Sequence, residues 1–206
     1  MLKSDKWNKI FDQSIHDYHV LDDVDQEMKN PYSFETEKLK NLLYEKNWID
    51  TVQWHFEDLI REPNIDPVGA LKLKRRIDKS NQWRTDTVER VDDWFIEKFS
   101  NITANENATM NSESPAWVLD RMSILCLKIF HMKEETTRKE ADPEHKEKCA
   151  EKLKVLLVQQ TDLTRCLDEL LEDVAQGIRY TKVYRQMKMY NDPKMNPVLY
   201  KSESKP

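Results

Sequence analysis

The stretch RRIDKSNQWRTDTVERVDDWF, residues 75–95, decides the fold. At 100° per residue, Ile77, Val88, Val91 and Phe95 fall within about 40° of one line, and Leu73 joins them. That is the period of a helix, not the alternation of a strand. No Gly or Pro interrupts it, so the stretch is the middle of a long amphipathic helix. Yet Asn81 and Arg84 lie on the same line, and Asp78, Thr85 and Asp92 form a polar stripe beside it. A buried guanidinium without a partner costs roughly 3–5 kcal/mol. An unsatisfied buried amide costs roughly 1–3 kcal/mol. Neighbouring helices, or a ligand, must therefore supply partners.

Working outward, the same helix extends over about 67–99. Asp66 caps it and Pro67 takes its first position. Upstream, Leu42, Ile49, Val52, Phe56, Leu59 and Ile60 mark a helix over about 35–61, which ends before Pro63. The connector EPNIDPVG (62–69) is short enough to fold the two back antiparallel. A shorter helix over about 4–20 carries Trp7, Ile10, Phe11, Ser14, Ile15 and Tyr18 on one face.

Downstream, NITANENATMNSE (101–113) is a polar linker, and Ser114-Pro115 starts a helix over about 115–138. AWVLDRMSILCLKIFHM (116–132) is apolar almost all round, which predicts a central position. After Asp142-Pro143, a helix over about 144–176 carries Leu153, Leu156, Leu163, Leu167, Leu170 and Val174. Gln160 interrupts that seam as a register-setting residue, and Gly177 suits the C′ position. The expected fold is all-α: an antiparallel bundle of four long helices, a shorter N-terminal helix and an irregular C-terminal tail. Residues 1–178 form the bundle domain. Residues 179–206 form a basic-aromatic tail that docks on the bundle or extends from it, with its tyrosines expected over helix ends.

Composition narrows the function. Two glycines among 206 residues leave no Gly-rich phosphate loop. The net charge of −5 disfavours nucleic-acid binding, although Arg179, Lys182, Arg185 and Lys188 alternate with Tyr180, Tyr184 and Tyr190 in the tail. Three cysteines without metal-ligand spacing read as reduced thiols, with Cys126 and Cys166 inside apolar runs. The opening residues MLKSDKWNKIFDQ contain no signal-peptide core, and no run of 18 apolar residues exists. The expectation is a cytoplasmic protein without membrane insertion, with a homo-oligomer left open.

Candidate chemistry gathers on three helices. Glu45 lies within the apolar stripe of the second helix, and His55 lies at its edge near Trp48. On the fourth, Arg121 shares a line with Val118, Met122 and Leu125, and Lys128 lies two turns on. If these helices pack together, Arg84, Arg121 and Lys128 converge with carboxylates and an amide. Such a set is either a closed network that fixes helix register or a pocket for a phosphate or carboxylate. Acidic pairs at helical spacing (Glu89/Asp92, Glu144/Glu147, Glu169/Glu172) and the His55/Asp58 pair are a weak metal signal in so charged a chain. No metal ligand is assigned, and no cofactor is expected apart from Mg²⁺ as an open alternative. Ser123 and Cys126 read as core residues. His16 and His19 read as solvent-facing, or packed at the end of the bundle.

Three segments carry a family resemblance: NLLYEKNWIDTVQWHFEDLIREP (41–63), LKRRIDKSNQWRTDTVERVD (73–92) and SESPAWVLDRMSILCLKIFHM (112–132). Together they resemble the uncharacterised, all-helical bacterial family of domain of unknown function 4254, and RQMKMYNDPKMNP (185–197) is similar to its Bacteroidetes-like members. The combination of Trp-His-x-Glu-Asp, Arg-Ile-Asp-x-x-Asn-Gln and Asp-Arg-x-Ser-Ile-Leu-x-Leu-Lys is specific. Trp83 and Ala116 depart from the commoner pattern. The resemblance carries no reaction. It implies an association with cell-surface polysaccharide or lipopolysaccharide synthesis. Its pattern falls on His55, Glu57, Asp58, Asp78, Asn81, Arg84, Asp120, Arg121 and Lys128.

The expected function is binding of an anionic small molecule, such as a phosphosugar or nucleotide, in an interhelical polar pocket. Asp78, Asn81, Arg84, Asp120, Arg121 and Lys128 would bind it, with His55 and Glu57 as an acid–base pair if turnover occurs. The alternatives are a non-catalytic adaptor for glycan-synthesis enzymes and a Mg²⁺-dependent enzyme like the all-α nucleotide pyrophosphohydrolases.

Overall fold

A computed structural model describes residues 5–202, so residue 4 of the first expected helix and residues 203–206 of the tail lie outside the described residues. The architecture is all-α, as expected. Its helices are α1 (Asp5–Tyr18), α2 (Lys38–Leu59), α3 (Pro67–Lys98), α4 (Pro115–Thr137), α5 (Pro143–Ala175) and the short α6 (Pro197–Ser202). Two three-residue strands, β1 (Thr109–Asn111) and β2 (Arg179–Thr181), pair in parallel. They join the linker before α4 to the start of the tail, where sequence periodicity showed no strand.

Local chemistry sets the helix ends. Asp66 accepts the Gly69 N–H at 2.8 Å and Pro67 occupies the first turn of α3. Asp142 accepts the His145 N–H at 2.9 Å and Pro143 opens α5. Each cap satisfies a donor that the first turn would otherwise leave free. Ser114 precedes Pro115 as expected, but its hydroxyl makes no capping bond. Gly177 terminates α5 at φ +69°, with its N–H donating to Val174 and the Ile178 N–H donating to Asp173. A Cβ there would lie 2.6 Å from the Thr103 carbonyl oxygen. The left-handed backbone alone costs a side chain roughly 1–2 kcal/mol. With the clash added, Gly177→Ala is expected to lower unfolding stability by more than that, measured by chemical denaturation.

The predicted face of α1 is buried throughout: Trp7, Ile10, Phe11, Ser14, Ile15 and Tyr18. Helix α4 packs against α1, α2, α3 and α5, which matches its all-round apolar character. It shares the centre with α2, whose residues 42–51 are buried without a break. That run includes Glu45, Lys46, Asn47 and Asp50. Leu59, expected in the stripe of α2, is exposed, as is Cys166 on α5, while Cys126 and Cys149 are buried. The leucines at the start of the α5 seam are only half-buried, because the first half of that helix runs along the outside. No described helix is long and apolar enough to cross a membrane.

The tail docks, but through its basic residues. Arg185 pairs with Glu89 and Asp93 on α3, and the Gln186 N–H donates to Glu89 at 2.9 Å. Lys188 donates to the Asn81 carbonyl at 3.0 Å and the Thr85 hydroxyl at 2.7 Å. Tyr184 and Tyr190, expected to cover helix ends, are exposed.

Candidate functional site

Arg84, the oddity on the apolar stripe, closes on two buried carboxylates. Its Nε donates to Asp50 at 2.9 Å, and its Nη2 reaches both oxygens of Asp120 at 2.7 Å. Lys46, one turn before Asp50 on α2, contacts Asp50 and lies 2.9 Å from Asp120. The Ser123 hydroxyl donates to Asp50 at 2.5 Å and accepts from the Asn47 amide at 3.0 Å. The Lys46 and Asp50 side chains are 2% and 0% exposed, and Arg84 is 28% exposed. Burial opposes the charge on Arg84, but Asp50 and Asp120 more than reverse this and hold the guanidinium above its ordinary pKa. A second pair flanks the first: Glu45 accepts from Arg90 at 2.8 Å and from the Trp83 indole at 3.1 Å. The four central charges on α2, α3 and α4 thus satisfy one another and lock the relative register of three helices.

Beside this network lies a cleft of about 240 Å³ between α3, the start of α4 and the tail. Asp78, Asn81, Arg84 and Asp120 line it, together with Trp117 and the tail residues Gln186, Lys188 and Tyr190. Four of the six expected binding residues therefore come together there. Arg121 and Lys128 do not, which corrects the expected convergence of three cations. Arg121 is exposed and pairs with Glu113 at 2.9 Å, and Lys128 is also exposed. Asp120 turns toward Arg84, so its neighbour 100° around the helix turns away, and Lys128 follows two turns later on that outer face. Asp78 is exposed at the cleft edge and pairs with Lys74. The Asn81 side chain is exposed rather than buried.

His55 and Glu57 lie outside the cleft lining. They are two residues apart on α2 and so face different directions. Glu57 binds Arg61 at 2.8 Å. On the second helix the partner of Arg84 is Asp50, not Glu45 or His55, the polar groups that the stripe pattern offered. Sequence reading missed Lys46, Asp50, Ser123 and Lys188. One signal was present: Lys46 and Asp50 are spaced i, i+4, as an ion pair on one helix face would be, within LLYEKNWID (42–50).

His55 belongs to a different cluster. It meets His19, just beyond α1, and His131 of α4, with one ring nitrogen of each lying within 4.8 Å of the others. The Nε2 atoms of His55 and His19 are 3.3 Å apart, and Asp22 Oδ1 lies 3.6 Å from His55 Nε2. Burial lowers the His55 pKa; Asp22 works against this, while His19 and His131 reinforce it.

A third feature is an apolar cleft of about 260 Å³ between the end of α3 and the β2 strand, lined by Phe95, Phe99, Ile102, Val174 and Val183 with Asp92 among them. Asp92 is 2% exposed, and its Oδ1 has no hydrogen-bond partner among the described residues. Burial pushes its carboxyl up to about 6, against the pull of the Ser114 hydroxyl and Arg185. Glu89 is meanwhile held by the tail, so the Glu89/Asp92 pair does not converge on one point.

The model of the protein family of unknown function DUF4254 matches residues 40–183. The chain belongs to this family. No curated protein and no solved structure matches it. In this DUF4254 protein the matched segment contains the whole Lys46–Asp50–Arg84–Asp120 network, His55 and His131. His19, Asp22 and the cleft residue Lys188 lie outside it.

Proposed function

We propose that this DUF4254 protein binds a small anion, a phosphosugar or nucleotide-like metabolite, in the cleft between α3, α4 and the tail. The observation that carries this reading is the way Arg84 is held. Asp50 and Asp120 occupy its Nε and Nη2, leaving Nη1 without a hydrogen-bond partner among the described residues, on a side chain that lines the cleft. Lys188 lines the same cleft. Arg84 and Lys188 are the two cations of the cleft lining, opposite Asp120 and the rim residue Asp78, which Lys74 already pairs. A guanidinium fixed by its own salt bridges loses little freedom on meeting an oxyanion, and the Asn81 and Gln186 amides add neutral donors. Phosphosugars are the first ligands to try, given the bacterial, cytoplasmic, surface-polysaccharide setting that the family resemblance implies.

A thermal-shift screen with inorganic phosphate, sugar phosphates and nucleotides, with and without Mg²⁺, tests the reading. A ligand at a hundred times its Kd stabilises the folded state by about 2.7 kcal/mol, enough to read as a clear shift. The shift should shrink in Lys188→Ala, whose docked side chain is not in the core, and in Arg84→Lys. No shift with any of these anions, or a shift unchanged in both variants, overturns it.

The adaptor reading has its own support in the tail. Met187 is 87% exposed and Tyr184 74% exposed, beside the docked Arg185. Such side chains suit a partner surface, for instance on a glycan-synthesis enzyme. Replacing Tyr184 and Met187, which do not line the cleft, by serine would then abolish partner capture and leave any anion shift unchanged.

A further inference from the structure

We propose that His19, His55 and His131 form a binding site for one divalent transition-metal ion of the zinc class. The three imidazoles come from separate elements, the end of α1, α2 and α4, and none lines the anion cleft. One ring nitrogen of each lies within 4.8 Å of the others. Tetrahedral zinc with bonds of about 2.0–2.1 Å spaces adjacent nitrogens roughly 3.3–3.4 Å apart. The His19 and His55 Nε2 atoms already stand at 3.3 Å. The third nitrogen, within 4.8 Å of the other two, has to come closer by at most about 1.5 Å to reach tetrahedral spacing.

The outer hydrogen bonds fit the same arrangement. His19 Nδ1 donates to the Ile15 carbonyl at 2.7 Å, and His131 Nδ1 donates to Glu134 at 2.9 Å. Each bond puts the proton on Nδ1 and leaves the Nε2 lone pair for a metal. Metal-bound histidines characteristically give their other N–H to a carbonyl or carboxylate in this way. His131 Nε2 is buried and has no hydrogen-bond partner among the described residues, a cost that a metal bond would remove. Stacking fixes the rings: Trp54 on His131 and Tyr18 on His55, with centroids 4.8 and 5.1 Å apart. Ring packing alone accounts for these stacks, but not for nitrogens converging on one point.

Asp22 supplies an oxygen beside the cluster. It adopts φ 51° in the turn that ends α1, a conformation Asp tolerates better than most residues. Its Oδ1 lies 3.6 Å from His55 Nε2, close enough to fill a fourth position or to hold a metal-bound water. An all-imidazole nitrogen set suits zinc, nickel or copper and is unsuited to Mg²⁺, which takes oxygen ligands. A bound ion would also pin α1, which lies outside the family-matched segment, onto α2 and α4.

The test is metal titration of chelator-stripped full-length protein, using Zn²⁺ followed by calorimetry and Co²⁺ followed by visible absorption. Expected are one ion per chain and the d–d bands of four-coordinate Co²⁺. Both should be lost in His19→Gln and in His55→Gln, two variants on different elements whose folding is checked by circular dichroism. Glu134→Gln should weaken Zn²⁺ binding by about 10–100-fold. His145→Gln, which removes a histidine that contacts Cys149 and Glu135 instead, should leave uptake unchanged. The proposal is overturned if the native chain takes up no stoichiometric ion, if uptake survives both cluster variants, or if His145→Gln is the variant that abolishes it.

Discussion

Asp50→Ala is expected to destabilise the protein by about 3–5 kcal/mol, the cost of leaving buried charges without their partner. Asp50 receives Lys46, Arg84 and Ser123 in a position with no solvent exposure. Removing it leaves Lys46 and Arg84 to share Asp120, with two cations facing one carboxylate. The diagnostic comparison is the double variant Lys46→Met/Asp50→Leu. It removes one charge of each sign and leaves Arg84 bidentate on Asp120, so its loss should be smaller than that of the single variant. Urea denaturation of the two variants checks this. A double variant that loses as much as or more than the single one would show that packing, not charge pairing, governs the site. Native stability of a domain is commonly only 5–15 kcal/mol, so the single variant should also express poorly.

Asp92→Asn is expected to stabilise the protein above about pH 6, by about 2–3 kcal/mol at pH 7. The Asp92 carboxyl titrates near 6 in the folded chain against an ordinary value of 3.8. A carboxyl whose folded-state pKa is raised binds its proton more tightly in the folded state. Its contribution therefore favours folding at low pH, declines as pH climbs from about 4 to about 6, and is a full penalty above that. The amide has no such penalty and keeps nearly the same shape. The difference between the two proteins should be near zero below pH 4 and open across that window. Parallel stability curves from pH 3.5 to 8 would refute the assignment.

Much of the fold was legible because helical periodicity is a local property. The Ile77–Phe95 line, the Asp66-Pro67 and Asp142-Pro143 starts, and the Gly177 stop each need only neighbouring residues to be read. Arg84 was legible as a problem for the same reason: a guanidinium on a buried stripe is costly wherever the stripe packs. Its solution was not. Lys46 and Asp50 have nothing local to single them out until two other helices cover them, and the choice between Asp120 and Arg121 depends on how α4 is rotated about its axis. The His19–His55–His131 cluster draws on positions 36 and 76 residues apart, beyond any local spacing rule.

The sequence by itself determined the helices, their order, their caps and the presence of polar groups on apolar faces, because backbone hydrogen bonding and side-chain period act within a few residues. Only the tertiary structure decided which charges pair, that Arg84 lines a cleft, and that three histidines come together. Those outcomes depend on the rotation and register of packed helices, and a turn of 100° exchanges a buried partner for an exposed one.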